Sequence, residues 1–412
     1  MGRRKRCKGD DDAVSSPFPT KETISTKRRR RRKLTKTLTS SPSLPILPFD
    51  LVSEILCRLQ VKLLLQLRCV CKSWNSLISD SNFAKKHNRT SAPTRLVHTL
   101  TDRVTISDRV IYDSYEFKYV LKSYTFESVL TNKNIKATEL DLPGANRAFF
   151  VGSCNGILCL LAIVYGGDWN VRLCNPSIRK FKDLPPLEEL STSNINKLTM
   201  YGFGHDTVSD NYKIVIGGAR DIRCNLVSET DVKVYTSGTN FWKNIQKFPI
   251  DCVVVQETGK FVSGTMNWLV SKDYARKNQY FVVSLDLRNE SYQEVLLPDY
   301  GEVDARSLNL SVFRDCLCMI FGCDVWIMKE YGKKESWHKL FIISHMQDPR
   351  TPWLYIKAVH IFEDGQLLLK SSTFGNTTMF FQNSRNDTFE FPFYSLYKIP
   401  EVCFESLISP CS

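Results

Sequence analysis

Two hydrophobic rhythms divide the chain. Between about residues 47 and 90 apolar side chains recur every three to four positions, and from about 94 to 410 they alternate or run in short stretches bounded by polar turns. The first stretch reads LPFDLVSEILCRLQVKLLLQLRCVCKSWNSLISDSNFAKKH. Leu47, Leu51, Ile55 and Leu59 fall four residues apart, with Val52 and Leu56 beside them, which predicts one apolar stripe on a helix. Pro48 suits the first turn of that helix and Asp50 its positive end. A second short helix is expected to carry Leu64, Leu65 and Arg68, and a third Val70, Trp74, Leu77 and Ile78. Three helices in about 40 residues bury little apolar area by themselves, so a partner is expected to cover one face.

The long region repeats. Five segments share one order: an apolar strand, a gap, a second apolar strand, a polar turn, and an aromatic or apolar strand. The first strands are GILCLL from Gly156, YKIVIGG from Tyr212, GTMNWLV from Gly264, DCLCMIFG from Asp315 and GQLLLKS from Gly365. The hairpins paired with them begin at Val171, Val232, Phe281, Val325 and Met379, which lie 61, 49, 44 and 54 residues apart in turn. Periods near 50 residues with several short strands each predict propeller blades. The leftover segments, about 94–130 and 394–408, are expected to make a sixth blade. Pairing of Phe404 to Ile408 with an early strand would close the ring and remove its exposed edges. A β-sandwich with a smaller sheet is the alternative. The fold class predicted is α+β and multidomain, a small three-helix unit followed by an all-β, propeller-like domain of about six blades. The 24 Phe and 16 Tyr agree with a sheet-rich body, since aromatics suit half-buried pleated surfaces.

Charge sharpens the boundaries. The net charge is +13, and residues 1–36 carry 14 Lys and Arg against four acids. The rest of the chain is close to balanced, so an argument for nucleic-acid binding from overall charge applies to the tail alone. Residues 1–45, rich in charge, Ser, Thr and Pro, read as a disordered basic tail. The segments expected are thus 1–45, the helical unit 46–90 and the β domain 91–412. The run Lys27, Arg28, Arg29, Arg30, Arg31, Arg32, Lys33 has no core to enter, and it reads as a nuclear-import signal, with Arg3 to Arg6 as a second part. No aromatic interleaves it, which disfavours base stacking and a nucleic-acid partner.

Candidate chemistry is sparse. None of the 14 cysteines forms a CxxC pair, and the six histidines have no metal-ligand spacing beside them. No metal or cofactor is expected. Cysteine usage of this kind, with neither a secretory leader nor a membrane span in the sequence, points to cytosol or nucleus. There is no GxSxG elbow, HExxH or P-loop. Trp169, Trp242, Trp268, Trp326, Trp337 and Trp353 sit in strand-like segments and are expected to pack between blades. Asp183, Asp210, Asp286 and Asp364 read as turn residues.

The helical stretch resembles the F-box motif. Leu47-Pro48, Arg58-Leu59-Gln60-Val61-Lys62 and Arg68-Cys69-Val70-Cys71-Lys72-Ser73-Trp74 follow that pattern in order. Two positions depart from it: Gln60 and Ser81 stand where the family has Pro. Gln60 is expected to let the first helix run on by a residue. The remainder is similar to the plant F-box-associated domain at Tyr201-Gly202-Phe203-Gly204, Ser209-Asp210-Asn211-Tyr212-Lys213, Val325 to Gly332, Glu335-Ser336-Trp337 and Glu405-Ser406-Leu407. The resemblance implies a non-catalytic substrate receptor of an SCF-type ubiquitin ligase, bound to a SKP-type adaptor and through it to a cullin. Leu47, Pro48, Leu59, Leu65, Val70, Cys71 and Trp74 are the residues expected at or behind the adaptor interface. A propeller-fold enzyme or small-molecule binder is the rival reading. If the β domain holds a protein substrate, loops at 164–170, 218–229, 271–279 and 345–353 are the candidates. Arg220, Arg223, Arg276 and Arg350, with Lys272 and Lys277, lie in or beside three of those loops and give them a basic cast suited to an acidic or phosphorylated target.

Overall fold

Alternate residues of each central strand enter different cores, and that alternation builds a ring. In the strand Ile157–Val164, Ile157, Cys159 and Leu161 enter one apolar cluster, while Leu158, Leu160 and Ala162 enter another. The same division recurs in the strands Asn211–Ala219, Thr265–Ser271 and Cys316–Phe321, so each of these sheets packs against two neighbours. The structure is a computed structural model. It describes residues 47–89 and 93–411, except 106–114, 126–137, 143–144, 165–168, 188–197, 220–229, 250–252, 273–279, 302–307, 344–354, 363–365, 374–375, 383–387 and 392–400. The basic tail, Trp353 and Asp364 lie outside the described residues.

Six antiparallel sheets form the blades of a propeller. Blade 1 combines β1 (Pro93–Thr105), β2 (Tyr115–Thr125) and β3 (Thr138–Asp141) with the late strand β25 (Glu401–Phe404). Blade 2 holds β4 (Ala145–Cys154), β5 (Ile157–Val164), β6 (Trp169–Asn175) and β7 (Lys180–Asp183). Blade 3 holds β8 (Leu198–Asp206), β9 (Asn211–Ala219), β10 (Thr230–Thr236) and β11 (Trp242–Asn244). In blade 4 the inner position is shared by β12 (Val253–Val254) and β13 (Lys260–Val262), followed by β14 (Thr265–Ser271), β15 (Tyr280–Asp286) and β16 (Ser291–Val295). Blade 5 runs β17 (Leu308–Phe313), β18 (Cys316–Phe321), β19 (Asp324–Met328), β20 (Trp337–Ile342). Blade 6 runs β21 (Tyr355–Ile361), β22 (Leu367–Thr373), β23 (Asn376–Gln382), β24 (Thr388–Phe391).

The five repeated segments read from the sequence are the middle and outer strands of blades 2 to 6. The inner strands escaped that reading because polar residues such as Asp206 and Lys260 and several glycines interrupt their apolar runs. The ring closes where expected, though not with the expected residues: β25 is Glu401–Phe404, pairing with Pro93 to Val97 of β1. Residues 405–408, expected as strand, instead cross onto blade 2, where Asn175 Nδ2 donates to the carbonyls of Ser406 (2.9 Å) and Ile408 (2.8 Å). Leu407 and Ile408 are buried there. Gly156 makes this crossing possible. Its φ is +76°, and a Cβ would stand 2.2 Å from Ser406 Cβ.

Turns fix the registers. Asn155-Gly156, Ser263-Gly264 and Arg314-Asp315 all have positive φ and join inner to second strands in blades 2, 4 and 5 as two-residue hairpins. Asp286 accepts from the N–H groups of Arg288 and Asn289, and the loop ends on Glu290 at positive φ. Asp210 is likewise a turn residue at positive φ, whereas Asp183 ends β7 in an ion pair with Arg172. Trp268 and Trp337 lie in inter-blade cores, as expected.

Ahead of the ring stand four helices, not three: α1 (Phe49–Cys57), α2 (Val61–Leu67), α3 (Lys72–Ser79) and α4 (Ser81–Asn88). Asp80 makes the fourth, its carboxylate accepting from the N–H groups of Asn82 (2.9 Å) and Phe83 (3.0 Å). Ser81, in the place of the family's Pro, is the first residue of α4. Gln60 does not prolong α1, which stops at Cys57; Gln60 is extended and precedes α2. Val70 lies in the turn before α3 rather than on it.

Candidate functional site

The apolar residues of the helical unit divide between two faces. Leu56, Cys57, Val61, Leu64, Ile78, Phe83 and Ala84 are buried, in one cluster with Ile157, Phe203, Tyr212, Leu407 and Ile408 of the propeller. One face of the helical unit is therefore covered by the protein's own blades 2 and 3, separately from the face expected to meet an adaptor. Polar contacts hold that seat. Lys85 pairs with Asp210, and Asn88 Nδ2 donates to Asn155 Oδ1 at 3.1 Å. Within the unit, Lys86 pairs with Glu54, which holds the Glu54 carboxyl below its ordinary range.

A second face is left open. Phe49, Leu51, Ile55, Leu63 and Val70 are each 41% exposed or more. Each large apolar side chain buried there would contribute roughly 1.5–3 kcal/mol. The stripe read on α1 thus splits: Leu51 and Ile55 face outward, while Val52, Leu56 and Leu59 pack inward.

The residues assigned to the adaptor from the sequence fall in two groups. Leu47 is 48% exposed and Pro48 is exposed, both ahead of α1. Val70 and Cys71 are exposed on the turn before α3. Leu59, Leu65 and Trp74 are half-buried against the internal cluster, so they support the face rather than form it. The Cys71 thiol is held below the usual thiol range by the Ser73 hydroxyl, 3.1 Å away, and by the Trp74 N–H. Phe49 and Leu63 were not singled out from the sequence. The available signal was the run Val61 to Leu65, apolar on too many sides to face one core.

On the substrate side, Arg220, Arg223, Arg276, Arg350 and Lys277 lie outside the described residues. Lys272 is engaged, with Nζ 5.1 Å from the Phe281 ring centroid and 3.9 Å from Glu294. Among the described residues no group of His, Cys, Asp and Glu is arranged to hold a metal ion.

A four-helix head seated on a six-bladed propeller, with an apolar face to spare, defines the class: an F-box unit carried by a propeller. The F-box domain model matches residues 44–86, and the model for the F-box associated beta propeller domain matches residues 103–396. The chain belongs to the F-box-associated β-propeller family. It is similar to an F-box/kelch-repeat protein of Arabidopsis thaliana, 29% identical over 88% of this chain and 96% of that one. It is also similar to the F-box protein CPR1 of Arabidopsis thaliana, 26% identical over 72% and 73% of the two chains. Among solved structures, the β-propeller domain of the trilobed protease from Pyrococcus furiosus matches at 8% identity and TM-score 0.40, over 73% of this chain and 80% of that one.

Proposed function

We propose that this chain is the substrate-recognition subunit of an SCF-type ubiquitin ligase, docking a SKP-type adaptor on the open helical face and presenting a target protein from the propeller. The observation that carries this reading is the set Phe49, Leu51, Ile55 and Leu63 on helices, with Val70 on the turn before α3, exposed on a unit whose other face is already buried. On this reading the chain contributes no catalytic group. It holds a target lysine close to the thioester of a recruited conjugating enzyme and raises the effective concentration of that lysine. Arginines of the candidate loops, Arg220, Arg223, Arg276 and Arg350, are assigned to an acidic or phosphorylated segment of the target, which their planar forks suit.

Leu51→Asp with Ile55→Asp places two charges on the open face and leaves the internal cluster untouched. Pull-down of a SKP-type adaptor is expected to fall at least tenfold, a change of about 1.4 kcal/mol or more. Undiminished capture by that variant would refute the docking assignment. The run Lys27 to Lys33 is assigned to nuclear import, giving residence in nucleus and cytoplasm. A fluorescent fusion in which Arg28 to Arg32 are replaced by Ala is expected to move toward the cytoplasm.

A further inference from the structure

Where the helical unit meets the ring, the packing leaves a cavity of about 300 Å³. One side of it is α2, a second is β2 and β3 of blade 1, and a third is the turn between β6 and β7 of blade 2; Glu405, just after β25, completes the wall. That volume stands at the low end of small-molecule sites, which run from about 300 to 1,000 Å³. Part of the lining is apolar: Val61 and Leu121 are buried, and Leu65 and Leu140 half-buried.

Four ionisable side chains share the same cavity, Lys62 and Arg179 against Glu139 and Glu405, and the opposite charges have not paired across it. Glu139 is taken by Lys122, 3.1 Å away on the neighbouring strand. The side chains of Lys62 and Arg179 make neither a hydrogen bond nor an ion pair among the described residues. Once the Lys122 pair is set aside, the lining holds two cations and one carboxylate, a balance that favours an anion.

The turn that carries Arg179 is fixed in place. Asn175 Oδ1 accepts from the Ser177 N–H at 2.9 Å, while Asn175 Nδ2 holds the carbonyls of Ser406 and Ile408. Arg179 itself has φ +55°, in the left-handed region where a residue with a Cβ is disfavoured by roughly 1–2 kcal/mol. A position that suits glycine thus holds an arginine, and its guanidinium borders the cavity. A donor fork fixed before the ligand arrives loses little entropy on binding.

We propose that this cavity binds a small organic monocarboxylate with an apolar body, its carboxylate on Arg179 and Lys62 and its body against Leu65, Leu121 and Leu140. The planar guanidinium suits a carboxylate through two parallel hydrogen bonds. The apolar lining sets such a molecule above a bare inorganic anion, and Glu405 on the same wall works against a second negative charge. Lys62 belongs to α2 and Arg179 to blade 2, so the bound molecule joins the helical unit to the ring and raises the stability of the folded chain.

The test is isothermal titration of the purified full chain with benzoate and hexanoate, with benzyl alcohol and 1-hexanol as their uncharged counterparts and inorganic phosphate as an anion without an apolar body. At least one carboxylate is expected to bind with Kd below about 1 mM, and its alcohol and phosphate at least tenfold more weakly. Arg179→Gln is expected to weaken that binding about tenfold, and Lys62→Gln to weaken it less. Both side chains are exposed, so both variants are expected to melt as the wild type does without ligand. Neither carboxylate binding below about 1 mM would overturn the proposal, and so would an alcohol binding as tightly as its carboxylate. Phosphate binding as tightly as the carboxylate, and weakened by Arg179→Gln, would overturn it in favour of a simple anion site. Adaptor capture by Arg179→Gln is expected to stay at the wild-type level. Absent carboxylate binding with intact capture therefore strikes this inference alone, and failed capture with intact carboxylate binding strikes the ligase reading alone.

Discussion

The side-chain amide of Gln256 takes both backbone hydrogen bonds of Leu310. Its Nε2 donates to the Leu310 carbonyl at 3.1 Å, and its Oε1 accepts from the Leu310 N–H at 3.0 Å. Leu310 lies on the inner strand of blade 5, whose axial edge pairs with no strand among the described residues. One side chain from blade 4 thus replaces a rung of β-ladder and ties two blades together.

Gln256→Leu removes both bonds and leaves an N–H and a carbonyl of a fully buried residue unpaired. The expected cost is about 1–3 kcal/mol for each group left unsatisfied. It is measured by urea unfolding of the full chain. Adaptor capture is expected to stay at the wild-type level, because the helical seat is on blades 2 and 3.

Leu56 and Leu51 are five residues apart on α1 and answer to different forces. Leu56→Ala empties a fully buried position shared with the propeller, and a loss of about 2–5 kcal/mol of stability is expected. Leu51→Ala is expected to change stability by less than about 0.5 kcal/mol while weakening adaptor capture. Paired unfolding and pull-down measurements on the two variants would separate seat from docking face.

Gly156→Ala is expected to be among the most damaging single-methyl changes in the protein. The residue has φ +76°, and its Cβ would meet both Ser406 Cβ at 2.2 Å and the Phe404 carbonyl at 2.9 Å. Ser406→Gly removes one of those collisions but not the other, nor the backbone strain. The double variant is therefore expected to melt above Gly156→Ala and below wild type in a thermal scan.

His360 makes stability depend on pH. Burial, with a smaller contribution from the Lys260 charge, lowers its pKa from 6.5 to about 4. Between those values the unfolded chain binds a proton that the folded chain refuses. Stability is fully present above about pH 6.5 and falls as pH drops toward about 4, by no more than about 3 kcal/mol from this group. Among the described residues the Phe362 ring lies 4.7 Å from its ring, and the Lys260 charge acts on it. In denaturant titrations across that window, His360→Gln is expected to lose less stability than wild type does.

The outer architecture was legible because strands buried on both faces read as continuous apolar runs: GILCLL became β5, GTMNWLV became β14 and DCLCMIFG became β18. The inner strands were not, since polar and ionisable residues such as Lys260, His360 and Glu401 interrupt their apolar pattern. The helical stripe was legible as a stripe. Which of its residues face outward depends on what covers the other side, and nothing local in Leu51 or Leu56 records that blades 2 and 3 do so. Position 60 misled for a simpler reason: without Pro, the turn after Cys57 is still made, because Gln60 adopts the extended backbone that Pro would have imposed.

The way the ring closes gives the protein an order of manufacture. β25 and the buried pair Leu407 and Ile408 leave the ribosome after every other described strand, yet they complete the oldest parts of the nascent chain: β1, and the cluster that receives α1 to α4. Until they emerge, blade 1 lacks its inner strand and the F-box helices rest on an unfinished floor. A polypeptide cut short by a premature stop anywhere in blades 2 to 6 would carry an intact F-box sequence without its proper seat. On the ligase reading proposed above, such a chain would offer its open helical face from an unfinished seat, with lower stability expected for the helices.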